Sequence, residues 1–241
     1  RDLHSFPTRR SSDLIARVKL ENGYELERFE YWYDYIVKER SKKIVELETE
    51  FNTLYQGEGK KKWNYNTDIG IAVEKLRQVI ESISEVIYKE LFKVALAAIL
   101  LDVSNLYRNG KCLSYKKKWE DRKIVEKDVF DKFDEKVLKE LKCDIENSIT
   151  RTKINNKERL YNQDSRIGIA NEVDDNSIDL VITSPPYLNS RDYTDTYMLE
   201  LKTLGFTKTS EEIKELREKT LRSHVQIKWN DTSNVNNELL E

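Results

Sequence analysis

Thr183-Ser184-Pro185-Pro186-Tyr187 is the stretch of this chain best equipped to do chemistry. Two of the chain's three prolines stand there side by side, directly after the apolar run Ile178-Asp179-Leu180-Val181-Ile182. Consecutive prolines hold φ at about −65° and donate no N–H, so the carbonyls around them are rigid acceptors. Ser184 adds a hydroxyl, and Tyr187 adds a flat face on which a ring can stack. Acceptors beside an aromatic face suit a planar substrate that carries an NH2 group. The exocyclic amine of cytosine or adenine is a poor nucleophile, because its lone pair is delocalised into the ring. Accepting hydrogen bonds from both N–H groups favours a pyramidal nitrogen and turns the lone pair towards a methyl donor. Such a base has to leave the duplex, and stacking on Tyr187 offsets part of the unstacking cost of a few kcal/mol. The residues would act by positioning and electrostatics rather than by covalent chemistry. The bland alternative is a Pro-Pro turn that merely ends a strand.

The elements that would position these residues read as an α/β unit. Residues 159–162 and 178–183 are short strand-like runs that end in polar or turn residues. Between them, residues 167–172 suit a short helix and Asp174-Asp175-Asn176 a turn. Strand, helix, strand is the order of a parallel crossover, and the continuous Leu180-Val181-Ile182 run suits a strand covered on both faces. In open α/β sheets, ligands bind at the carboxyl ends of strands, where Ser184 and Asp164 would lie. Thr209-x-x-Glu212 reads as a capping box that opens a further helix. Two parallel strands need sheet neighbours, so most of a sheet is expected to lie outside this chain.

Upstream, the texture is helical. Leu26, Phe29, Tyr33, Ile36, Ile44, Leu47, Phe51 and Leu54 predict one long amphipathic helix. Residues 56–66 (QGEGKKKWNYN) read as a loop. Ile69 to Ala98 at three-to-four spacing predict a second, longer helix, whose all-apolar end VALAAILL should be buried. A basic turn follows at Arg108-Asn109-Gly110-Lys111, and Phe130, Phe133, Val137, Leu141, Ile145 and Ile149 predict a third helix. No internal repeat is present.

Composition narrows the classes. The 42 Lys and Arg residues face 44 Asp and Glu, so total charge neither supports nor excludes a nucleic-acid partner. Mean hydropathy is −0.73 with 36% charged residues, which points to a soluble, cytoplasmic chain with no membrane partner. Cys112 and Cys143 lack metal or disulfide spacing, so no metal site is expected. The lysine clusters at 60–62 and 116–118 read first as solvated faces, with Trp63 and Trp119 beside them raising a nucleic-acid reading. Asp192, Tyr193 and Asp195 suit either the pocket or helix caps, and His224 suits packing.

The motif Ser184-Pro185-Pro186-Tyr187 after Asp179-Leu180-Val181-Ile182-Thr183 resembles that of the S-adenosylmethionine-dependent DNA amino-methyltransferases of restriction–modification systems. Asn162-Gln163-Asp164-Ser165 resembles the family's preceding strand end, whose Asp sits near the cofactor adenine. The run TSPPYLNSRDYTDTYMLEL is similar to the cytosine-N4 members, in which Ser leads the motif more often. More weakly, LIARVKL resembles the helix after the family's ribose-binding acidic strand.

The resemblance runs from about residue 160 to about residue 229, and the helical middle resembles nothing. It implies a Rossmann-like methyltransferase, incomplete, mostly helical and with few parallel strands, with a helical region at 15–150 that holds the end of the cofactor half and a helical insertion, and a truncated methyltransferase segment at 151–241. It also implies catalytic roles for Ser184, Pro185, Pro186 and Tyr187, and cofactor contact for Asp164 and Ser165. The implied partners are S-adenosylmethionine, double-stranded DNA and a cognate restriction endonuclease. The family's glycine-rich cofactor loop has no match, because Gly57-Glu58-Gly59 does not follow a predicted strand. Residues 1–14 resemble a sequencing-library adapter read in frame and are set aside from the fold, so the chain is expected to be a fragment. Adenine-N6 methylation and a helical nucleic-acid-binding module without catalysis remain the other readings.

Overall fold

The structure, a computed structural model, describes residues 9–109, 112–148, 160–161, 165–182 and 193–218. Helices dominate these residues. In chain order they are α1 (Arg9–Leu20), α2 (Leu26–Arg40), α3 (Thr67–Glu81) and α4 (Val86–Val103). After the strands β1 (Leu106–Arg108) and β2 (Leu113–Tyr115) come a 3-10 turn (Trp119–Asp121) and α5 (Glu126–Glu135). A π-helical segment (Lys136–Leu141) and α6 (Lys142–Ser148) continue from α5. Then follow α7 (Ser165–Glu172), α8 (Tyr193–Thr196), α9 (Met198–Thr203) and α10 (Ser210–Glu218). Among the described residues no helix is long and apolar enough to cross a membrane.

Helix α4 is the axis of the core, with α1, α3, α5 and α9 packed around it. Phe92 at its middle is fully buried, stacked on Phe29 of α2 at 5.5 Å and tilted against Phe133 of α5 at 6.5 Å. Burying each such ring is worth about 1.5–3 kcal/mol. Around this centre Ile36, Leu76, Ile80, Leu96 and Leu100 are likewise fully buried. The expected burial of VALAAILL holds for Ala95, Leu96, Ile99 and Leu100, whereas Ala98 is exposed.

Two predicted helices are shorter than their periodicity suggests. Helix α2 stops at Arg40, where both Lys42 and Lys43 donate their N–H to the Glu39 carbonyl. Residues 43–50 then run without helix, leaving Ile44 92% exposed while Phe51 and Leu54 are buried. A continuous helix would have carried Leu54 about 21 Å beyond Arg40, away from this core. Burial of Phe51, Leu54 and Tyr55 won over local periodicity. The second predicted helix is two, broken at residues 82–85. The Ser82 hydroxyl donates to the Val79 carbonyl at 2.7 Å, and α4 packs back on α3. Folded so, the two apolar stripes bury each other, as one straight rod could not.

The third predicted helix is present as α5, the π-helical segment and α6. Phe133, Val137 and Ile145 are buried and Leu141 packs against the core. Four-residue steps drift by roughly 40° each around an α-helix. The wider π turn resets that drift and keeps the stripe inward. Arg40 clamps this rod to α2 through two hydrogen bonds to Asp134, at 2.6 and 2.7 Å.

The strand expectations need correction. The only sheet among the described residues is the antiparallel hairpin β1–β2, which sequence reading saw only as a basic turn. Leu160, Tyr161 and residues 178–182 form no strand, and Leu180, Val181 and Ile182 are 74, 75 and 88% exposed. A parallel strand draws its stability from neighbours on both edges, and among the described residues none pairs with this run. Helix α7 and the Asp174–Ser177 turn do form as expected, with Asn176 in the left-handed region at φ 59°. Helix α1 begins inside the adapter-like stretch, and its Leu14 is buried.

Candidate active site

Ser184, Pro185, Pro186, Tyr187, Asp164 and Asp192 lie outside the described residues, as does His224. Ser165 opens α7. What the structure does show is the frame on either side. Upstream is the exposed run 178–182; downstream, α8 and α9 are fastened to the helical body.

That fastening is built from several unlike contacts. Leu199, Leu201 and Thr203 of α9 are buried, and Leu199 belongs to the same core as α4. The Tyr65 hydroxyl meets Thr203 Oγ1 at 3.2 Å in a fully buried pair, and burial pushes that phenol well above its ordinary value. Arg108, on β1, lies across α8 and α9. Its guanidinium pairs with Glu200, donates to the Thr196 carbonyl at 3.3 Å and sits 4.9 Å over the Tyr197 ring. Glu200 is 8% exposed, and among the described residues its Oε2 accepts no hydrogen bond. Burial raises its pKa, and the nearby Arg108 only partly opposes that. Lys202 lies 4.5 Å over Phe51, and burial lowers its pKa. Asp195 pairs with Arg217 of α10 at 2.5 Å, so this acid has a structural partner. The capping box is half formed: Thr209 Oγ1 accepts from Glu212 N–H at 3.1 Å, but the Glu212 carboxylate takes the Lys208 N–H.

Between α1, α4 and α9 lies a cavity of about 390 Å³, with Val94, Ala98 and Leu101 on its apolar side and Arg108, Tyr197 and Glu200 on its polar side. None of the predicted site residues lines it. Arg108, Glu200 and Thr203 gave no signal in the sequence, because each looks like an ordinary surface residue until the hairpin meets α9.

The two lysine clusters come together. Trp63 packs edge-on against Trp119 at 4.9 Å, Tyr115 lies 5.0 Å from Trp119, and Lys62 Nζ is 5.5 Å over the Tyr115 ring. Trp119 is 7% exposed, so its ring serves the fold and is not free to stack on a base. Lys116 Nζ donates to the carbonyls of Leu101, Asp102 and Ser104, closing the end of α4. Burial, with Arg122 nearby, pushes that ammonium down to about 8. Among the described residues no group of acids, cysteines or histidines could hold a metal, and both cysteines are free thiols.

The sole G-x-G, at 57–59, belongs to a loop that closes on itself, with Gln56 N–H bonded to the Tyr65 carbonyl and Tyr65 N–H to that of Leu54. Lys60 fills the space beside Gly57, where a Cβ would stand 3.1 Å from its Cε. No strand precedes this loop, so it does not form a phosphate- or nucleoside-holding turn.

No family model matches the chain, and no solved structure matches it. Among curated proteins it is 33% identical over 159 residues to the type II methyltransferase M.BsoBI of Geobacillus stearothermophilus, covering 58% of this chain and 31% of that protein. It is 31% identical over 183 residues to the type II methyltransferase M.AvaI of Nostoc sp. strain PCC 7120, covering 68% of this chain and 36% of that one. M.AvaI of Anabaena variabilis matches to the same extent. The chain therefore spans about a third of the length of the relatives it matches. A match over 68% of the chain is longer than residues 151–241, so it takes in part of the helical region, which by itself resembled nothing. This chain is similar in sequence to type II methyltransferases through its helical body as well as beyond it.

Proposed function

We infer that this chain is a section of a Rossmann-like DNA methyltransferase of a restriction–modification system, acting on the exocyclic amine of cytosine at N4. The observation that carries the reading is Ser184-Pro185-Pro186-Tyr187 in a chain similar to type II methyltransferases. Ser184 and the Pro185 carbonyl accept hydrogen bonds from the two amine N–H groups, Pro186 stiffens the turn, and Tyr187 stacks on the flipped base. The fastening of α8 and α9 supports this reading, because it ties the segment that follows the motif in sequence to the helical body. Bound S-adenosylmethionine would supply the methyl group. The described residues offer no cradle for it: the 57–59 loop is filled by Lys60. Asp164 and Ser165 are proposed to contact its adenine, with the remaining grip supplied by other parts of the longer protein. Double-stranded DNA is then the substrate and a cognate restriction endonuclease the companion, in the cytoplasm.

The test is made in the longer protein that contains this segment. Nucleoside analysis of DNA it has methylated should give N4-methylcytosine. N6-methyladenine alone would overturn the base assignment and leave the reaction class standing. Ser184→Ala should slow methyl transfer by about 10²–10³ while leaving S-adenosylmethionine affinity nearly unchanged, because one preorganised polar contact to the reacting amine is lost. A variant with wild-type rate would reduce Ser184 to a turn residue. The 241-residue chain alone should show no saturable S-adenosylmethionine binding by calorimetry.

A further inference from the structure

The lysines of residues 60–62 and 116–118 sit more than fifty positions apart in sequence, yet the fold makes one surface of them. Its floor is rigid. Trp63 Nε1 donates to Asn66 Oδ1 at 2.8 Å, and Asn105 Nδ2 donates to both Asn66 Oδ1 and the Trp63 carbonyl. Asn66 Nδ2 reaches the Arg122 carbonyl at 3.5 Å, and the Trp63–Trp119 contact closes the ring of interactions. Lys60, Lys116 and Arg122 spend their charges on backbone carbonyls of this floor.

Lys61, Lys62, Lys117, Lys118 and Lys123 do not. All five are exposed, and among the described residues none is ion-paired. Elsewhere exposed lysines without a carboxylate partner among the described residues, such as Lys19, Lys132 and Lys208, stand apart on different elements, whereas here five gather. On the neighbouring helices, Lys75, Lys93, Lys127, Lys136 and Lys139 each pair with a carboxylate. Glu120 and Asp121 follow Lys118 in the 3-10 turn, yet among the described residues neither pairs with a lysine of this surface. Lys118 also holds the left-handed region at φ 50°, where a residue with a Cβ costs about 1–2 kcal/mol. A solvated lysine face needs neither a buried tryptophan floor nor a strained backbone.

We propose that Lys61, Lys62, Lys117, Lys118 and Lys123 form a contact surface for the phosphate backbone of duplex DNA, carried by the helical region and separate from the base-holding motif. The inference rests on the DNA reading above. Phosphate is the fitting ligand because the unpaired cations are ammonium ions that outnumber the two acids beside them, Glu120 and Asp121, and the rings beneath them are half-buried or buried. Trp119 is buried and Trp63 half-buried, so the surface reads charge rather than sequence. It would hold the duplex while a target base is withdrawn elsewhere.

The experiment uses the 241-residue chain and a fluorescently labelled 24-base-pair duplex, followed by anisotropy between 50 and 200 mM salt. Binding should be weak, in the range of about 10⁻⁴–10⁻⁶ M for sequence-independent contacts, and should fall steeply with salt. Lys61→Ala with Lys62→Ala, and separately Lys117→Ala with Lys118→Ala, should weaken binding and lower the log–log salt slope by about 2. Lys127→Ala with Lys139→Ala removes the same charge from ion pairs on α5 and the π-helical segment, and should change neither quantity. Circular dichroism melts identify any variant that fails to fold, and Lys→Gln pairs then replace it. No duplex binding, equal losses in the control pair, or a preference for duplex RNA over duplex DNA would each overturn the surface. The nucleoside analysis decides the catalytic reading independently, so the two can fail separately.

Discussion

Replacing Arg108 by alanine removes the cation that pairs with a carboxylate the fold has already desolvated. Glu200 is 8% exposed, its Oε1 is held by Arg108, and among the described residues its Oε2 has no hydrogen-bond partner. Removing one member of a fully buried ion pair costs about 3–5 kcal/mol, because the other charge is left without compensation. The Arg108 side chain is 38% exposed, so water already screens part of the attraction and the expected cost is nearer about 2 kcal/mol. Loss of the contacts to Thr196 and Tyr197 is included in that figure. Glu200→Gln should cost less, under about 1 kcal/mol, since it removes the desolvated charge and leaves Arg108 able to reach water.

The pH dependence separates this account from simple packing loss. Glu200's folded pKa is raised above the reference value of 4.5 by burial. Between the unfolded and folded values the native state binds more protons, so this group's contribution is most favourable below about 4.5 and declines as pH rises through the folded pKa. Arg108→Ala raises the folded pKa further and widens that window. Urea unfolding followed at 222 nm should therefore show a larger deficit for the variant at pH 7 than at pH 5. A deficit of the same size at both values, or one below about 0.5 kcal/mol at pH 7, would refute the claim that Glu200 is charged and dependent on Arg108.

Gly70→Ala in α3 places a Cβ 2.8 Å from Tyr55 Cδ1, so despite alanine's better helix propensity it should destabilise the chain by about 1–3 kcal/mol in the same assay. Lys116 has a folded pKa pushed down to about 8 against 10.5 unfolded, so the unfolded state binds more protons between those values. Stability should rise from pH 8 towards 10.5 and that rise should be absent in Lys116→Met; an unchanged pH profile in the variant would assign it to another group.

The motif on which the proposed chemistry rests was legible in sequence, and the architecture much less so. Ser184-Pro185-Pro186-Tyr187 is a local arrangement, in which prolines fix their own backbone and a hydroxyl and a ring follow in order. Such a motif needs no distant partner to be read. The similarity to type II methyltransferases agrees with the reaction class it suggested. Local signals also placed α7, the turn at Asn176 and the start of α10, since caps and turns are decided within a few residues.

Tertiary structure decided where periodic stretches stop. An apolar stripe at three-to-four spacing says that a residue wants burial, but not on which side of a break its partner lies. Hence Phe51 and Leu54 reach the core by a returning loop, and α3 and α4 form two helices where one was expected. Residues 178–182 show the opposite failure: their β-rich composition describes a strand only when neighbours supply its hydrogen bonds, and among the described residues none does. The joining of two distant lysine clusters over Trp63 and Trp119, and the capture of Glu200 by Arg108, were invisible for the same reason. Each depends on a contact between segments far apart in the chain, and only the packed core brings those segments within reach.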